Sequence, residues 1–184
     1  MELNEVVELT ADLLKDFDSS RPVFKNFKPG IGPFGEPQLV KIISELLTND
    51  GHPASTARTP DLMIKNDWAL EFKIARPFGD NGKEAENWSV NLLHPYGGNI
   101  SSIGDALKLI RYETSAKKAI FVIGYEHKQP VISLDPLFSS FELIARSVCN
   151  VPLGNRVEER RGDLVHPIHQ VVRCLAWEIR QPPG

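Results

Sequence analysis

Hydrophobic and polar positions alternate strictly from Trp68 to Ala75. Trp68, Leu70, Phe72 and Ile74 fall on one side, and Ala69, Glu71, Lys73 and Ala75 on the other. A period of two is the signature of a half-buried strand, with one face in the core and the other carrying a carboxylate beside an ammonium. Upstream, Asp61 to Lys65 is a second apolar run led in by Pro60, and the Asn66-Asp67 step between the runs is a hairpin turn signal. The register follows from counting. A two-residue loop opposes Asp61 to Phe72 and buries it, because directly opposed residues share a face. A three-residue loop, Lys65–Asp67 or Asn66–Trp68, opposes Asp61 to Glu71 or to Lys73 and leaves Leu62 and Ile64 in the core with Leu70 and Phe72. The pattern therefore predicts an odd-length turn or a bulge that gathers Asp61, Glu71 and Lys73 on one side of the sheet.

Around this hairpin the periodicity changes to helical. Leu3, Val6, Val7, Leu13, Leu14 and Phe17 recur at helical spacing from Glu2 to Phe17. Prolines and glycines then break the chain from Ser19 to Gly35, a stretch in which Phe24-Lys25-Asn26-Phe27-Lys28 interleaves aromatics with lysines. Such a run suits a nucleic-acid backbone, and equally suits buried phenylalanines with snorkelling lysines. Glu36-Pro37 opens a helix to about Leu47, stopped by Asn49-Asp50-Gly51. His52 to Arg58 holds a short strand. Arg76 to Ser101 is a long irregular segment, and Ser101-Ser102 caps a helix from Ile103 to about Glu113. Ala119–Gly124 reads as a buried strand, Glu126–Gln129 as a polar turn and Pro130–Leu134 as an edge strand. Asp135-Pro136 starts a further helix carrying Phe138, Phe141, Ile144, Ala145 and Val148, and Asn150–Asp163 reads as a charged loop. From Gln170 to Arg180 the pattern fits a helix or a strand.

Composition adds limits. A chain of 184 residues, 41% hydrophobic, suits one α/β domain over 1–184: an N-terminal helix and Gly/Pro-rich loop (1–35), a core (36–134) and C-terminal elements (135–184). No stretch approaches a membrane span, and the acidic N-terminus lacks the basic-then-apolar pattern of a signal peptide, so a cytoplasmic protein is expected. Cys149 and Cys174 stand far apart without metal-ligand spacing and are expected to be reduced and buried. His166-Pro167-Ile168-His169 likewise lacks partners at zinc spacing. The net charge of −3 does not mark a nucleic-acid binder, so affinity for phosphate has to come from local cations and from a metal.

Two carboxylates converging from neighbouring strands repel unless a cation sits between them or one stays protonated. Carboxylate oxygens suit Mg²⁺, with Mn²⁺ as a substitute, and Lys73 two residues along the same face suits a water or a phosphate oxygen. A third acid is sought on the preceding helix. Glu36 shares a stripe with Val40, Ile43 and Leu47 and lies at the helix mouth, whereas Glu45 sits about half a turn away and faces water.

Pro60-Asp61, nine intervening residues, then Glu71-Phe72-Lys73 resembles the PD-(D/E)xK motif of the restriction-endonuclease-like nuclease superfamily. The resemblance implies a core of helix, three-strand meander, helix and strand, built on a central mixed β-sheet flanked by helices. It also implies Mg²⁺-dependent cleavage of nucleic acid, DNA in preference to RNA, by a homodimer. Carried over by position, Asp61 and Glu71 become metal ligands with Glu36, the Phe72 carbonyl a further ligand, and Lys73 the catalytic lysine. Arg58, Lys83, Asn91, His94, Tyr96, Asn99, Lys108 and Arg111 are the candidate nucleic-acid contacts. The alternative is a protein of the same fold that binds nucleic acid or a partner without cleaving.

Overall fold

The computed structural model describes residues 1–96 and 101–180. In chain order it contains helices α1 (Leu3–Ser19) and α2 (Glu36–Asn49), strands β1 (Ala54–Thr56), β2 (Leu62–Ile64) and β3 (Trp68–Ala75), a helical turn α3 (Val90–Leu93) and helix α4 (Ser102–Arg111). Strand β4 (Lys117–Glu126) follows, then helix α5 (Asp135–Leu143), a π-helical turn (Ile144–Val148), and strands β5 (Leu153–Arg161) and β6 (Val171–Ile179). The strands form one six-stranded sheet in the order β1-β2-β3-β4-β6-β5. Among the described residues only β3 and β4 run parallel; every other neighbouring pair is antiparallel. The architecture is thus α/β, a mixed sheet with helices on both faces. Among the described residues no helix is long and apolar enough to cross a membrane.

The hairpin has the odd-length turn that counting requires. Leu62 pairs with Leu70, Met63 with Ala69 and Ile64 with Trp68, leaving Lys65, Asn66 and Asp67 as the loop. Asn66 takes a positive φ of 63°, a conformation asparagine tolerates better than most residues. Extending the register by one residue sets Asp61 against Glu71. Leu62, Ile64, Trp68, Leu70 and Phe72 face α1 and α2, where Phe72 stacks on Phe121 with ring centroids 4.7 Å apart. Each such fully buried side chain contributes about 1.5–3 kcal/mol.

The second face is not wet, as a half-buried strand would have it. α4 and α5 pack on it with Ile120, Val122, Leu175 and Trp177, so Glu71 and Lys73 are only 2% and 9% exposed. Other expectations also give way. Pro130–Leu134 forms no strand; the chain turns there, and Glu126, expected in a polar turn, ends β4 as a buried carboxylate that accepts from Leu134 N. Asn150–Asp163 is not a loop throughout, since Leu153–Arg161 is strand β5 at the sheet edge. Its charges on both faces masked it: Glu158 and Arg160 pair with Arg173 and Glu126 on one side, and Arg161 reaches Asp12 of α1 on the other. The ambiguous C-terminal segment is a strand, β6, buried between β4 and β5. Both cysteines are free, Cys174 buried but Cys149 only partly so.

Candidate active site

The short second strand creates the site. β2 stops pairing at Leu62, so beyond Leu70 the edge of β3 on that side has no neighbouring strand among the described residues. In a strand the amide and carbonyl of one residue point the same way, and those of Phe72 point into this gap. Side chains take the place of a ladder. Asp61 Oδ2 accepts from Phe72 N at 2.8 Å, and Lys73 Nζ donates to Phe72 O at 2.8 Å.

Glu36 enters from α2, whose start is fixed by the preceding loop. The Asp18 carboxylate accepts from Ile31 N at 2.9 Å and from Val165 N at 2.7 Å. Arg76, just past β3, donates to the carbonyls of Gly32 and Phe34. Gly32 lies so close to His169 that a Cβ would sit 2.2 Å from its Nδ1, so only glycine fits. Glu36, in line with the buried stripe, reaches Lys73 Nζ at 3.3 Å, whereas Glu45 pairs with Lys41 in solvent.

A further acid comes from α4. Asp105 Oδ2 lies 2.8 Å from Lys73 Nζ and its Oδ1 2.5 Å from Lys108 Nζ. Sequence reasoning passed over Asp105. The signal was present, because Asp105 falls on the stripe of Ser102, Ala106 and Leu109 that α4 buries, where an unpaired acid would be costly.

Glu36, Arg58, Asp61, Glu71, Lys73, Asn91, Asp105 and Lys108 line one open cavity of about 280 Å³. Burial pushes the Glu71 carboxyl up to about 8, with the Asp61 and Asp105 carboxylates adding to the shift. Its Oε1 is buried without a hydrogen-bond partner. Burial also raises Glu36, partly offset by Lys73. For Lys73 burial works against the charge, but Glu36 and Asp105 outweigh it and hold the ammonium above its ordinary range. The cavity thus concentrates four carboxylates against Lys73 and Lys108, with Arg58 at its exposed margin.

As a metal site the donor set fits in part. Asp61 and Glu71 offer hard oxygens on one face, one of them an orphan, and the Phe72 carbonyl faces the same gap. Among the described residues, however, no group of three His, Cys, Asp or Glu side chains has the spacing to hold a metal ion. Glu36, expected among the ligands, and Asp105 are instead paired with the Lys73 ammonium.

Of the candidate nucleic-acid contacts, Arg58, Asn91 and Lys108 line the cavity and Lys83, His94, Tyr96 and Arg111 do not. Asn99 lies outside the described residues. In the Phe24–Lys28 run, Phe24 packs on Phe34 at 5.0 Å, Lys25 sits over the Phe24 ring and Lys28 binds Asp80, while Phe27 stays exposed. His166 and His169 stack at 4.4 Å as a buried pair, His166 bonded to Asp80 and His169 to Phe78 O. No family model, curated protein or solved structure matches the chain.

Proposed function

We propose that this chain is a Mg²⁺-dependent nuclease, hydrolysing phosphodiester bonds of DNA in the manner of the restriction-endonuclease-like superfamily. One observation carries the reading: acids from α2, the hairpin and α4 meet Lys73 and Lys108 in one open cavity, around an orphaned Glu71 oxygen. The order α2, β1-β2-β3 meander, α4, β4, with β4 parallel to β3, supports the same reading, since it matches the core that the motif implies.

Asp61 and Glu71, with the Phe72 carbonyl beside them, would hold the ion. Bound there, Mg²⁺ would lower the pKa of a water and offset charge building on the phosphate. The chain's own groups do the rest. Lys73, drawn between Glu36 and Asp105, presents an ammonium to the attacking water or to a phosphate oxygen. Asp105 fixes that ammonium and also holds Lys108, which with Arg58 supplies positive charge where an anionic backbone would approach. Cutting both strands of a duplex calls for two copies of the site, hence a dimer.

The test is incubation of circular and linear DNA with Mg²⁺ or Mn²⁺, comparing wild type with Asp61→Asn, Glu71→Gln and Lys73→Ala. Cleavage by the wild type alone supports the proposal. Metal-independent binding with no cleavage would instead identify a non-cleaving protein on the same fold.

A further inference from the structure

A second cavity, of about 360 Å³, lies between the hairpin and the start of β4, with Pro53, Ser55, Met63, Lys65, Asn66 and Ser115 in its lining. Its size falls within the ~300–1,000 Å³ of small-molecule pockets, and the acid cavity leaves it unused. Alternation along β2 puts it on the catalytic face. Met63 is paired with Ala69 on one side and Ser55 on the other, one two-residue step from the row that sets Asp61 against Glu71. Two residues of strand advance ~6.6 Å, close to the length of one nucleotide in an extended strand. Along this row the side chains run carboxylate (Asp61), thioether (Met63) and ammonium (Lys65). Lys65 is exposed and makes no ion pair among the described residues.

Resting on the nuclease reading, we propose that this cavity receives the second nucleoside along the strand from the phosphate held at Asp61 and Glu71, with the outer phosphate of that nucleoside at Lys65. The chemistry matches piece by piece. A polarizable thioether and a proline ring suit the flat faces of a base. The Ser55 and Ser115 hydroxyls and the Asn66 amide give donors and acceptors for its edge. Lys65 lies four residues from Asp61, ~13 Å or about two nucleotide lengths along the strand, which places its cation at the outer phosphate of that second nucleoside.

The chain has only two methionines, Met1 and Met63, so methyl-¹³C-methionine labelling gives one reporter inside the cavity and one control. Met1 packs against the core on the opposite face of the sheet. The probes are deoxyadenosine 5′- and 3′-monophosphate, and deoxyribose 5-phosphate as the same anion without a base. Either nucleotide is expected to move the Met63 methyl resonance and leave Met1 in place, while the base-less phosphate leaves both in place. Lys65→Ala, a change on an exposed turn, is expected to weaken the nucleotide about five-fold. A Met63 signal that stays still at millimolar nucleotide overturns the proposal, as does one that the base-less phosphate moves equally. Cleavage is read separately. Mg²⁺-dependent cutting with a silent Met63 removes the pocket and keeps the nuclease; a base-dependent shift without cutting does the reverse.

Discussion

Two buried charge clusters in this molecule invite comparison. At the β5–β6 end, Arg173 is 2% exposed and lies within 3.2 Å of Glu126, Glu158 and Asp135, and over the Phe138 ring. Arg160 takes the other Glu126 oxygen at 2.7 Å. Each of these carboxylates has a guanidinium. At the β2–β3 end, four carboxylates share Lys73 and Lys108, one carboxyl is pushed up to about 8, one of its oxygens is unpartnered, and the whole opens to a cavity. Charge burial is therefore no guide to chemistry by itself. The satisfied cluster cements strands together, while the unsatisfied one has capacity left for something else.

The largest effects should separate the two clusters. Asp61→Asn and Glu71→Gln are expected to lower Mg²⁺-dependent cleavage by about 10³-fold while leaving the unfolding free energy from urea titration within roughly 0.5 kcal/mol of wild type. Arg173→Met is expected to do the opposite. It leaves Glu126 buried with only the half-exposed Arg160 as cation and takes the guanidinium from Glu158 and Asp135, and should cost about 3 kcal/mol of stability, with cleavage per folded molecule retained. If Arg173→Met abolished cleavage at full stability, the distinction between the clusters would be wrong.

Asp105→Asn tests the residue at the joint. It frees Lys73 from one of its two carboxylates without touching Asp61 or Glu71, so a fall of about 10–100-fold is expected, in kcat and not in KM. A change in KM alone would place Asp105 outside the chemistry.

The smallest effect is a pH dependence built into neither cluster. His169 donates from Nε2 to Phe78 O, its Nδ1 is buried without a partner, and burial pushes its pKa down to about 3. His166 is lowered for the same reason. In the unfolded chain both titrate near 6.5, so below that pH the unfolded state binds more protons than the folded one. The histidine contribution to stability is then full above about 6.5 and falls as pH drops toward 3, while the Glu71 carboxyl, raised to about 8, works in the opposite sense over the same range. The histidine contribution is therefore read by difference: between pH 7 and 4.5, urea unfolding of wild type should lose on the order of 2 kcal/mol relative to His169→Gln.

The hairpin was legible because a period of two allows only one parity for the loop, and that parity brought Asp61 to Glu71. Glu36 was legible because one helix turn separates the buried stripe from water, which set it apart from Glu45. Asp105 was missed because it comes from α4, outside the hairpin and the helix that precedes it, and only the fold brings it to Lys73. β5 was missed because its polarity on both faces is answered by residues distant in sequence, Asp12, Glu126 and Arg173, and no local pattern records such partners. Burial of β6 between two strands likewise decided strand over helix, a matter of neighbours and not of its own periodicity.

The early stop of β2 carries one more consequence. An unpaired strand margin is a template for other chains, and here the margin at Phe72 is covered by Asp61 and Lys73 themselves. The groups proposed for the reaction are therefore expected to guard against self-association as well. Asp61→Ala, unlike Asp61→Asn, strips the acceptor from the Phe72 amide, and light scattering of that variant should reveal oligomers that grow with protein concentration.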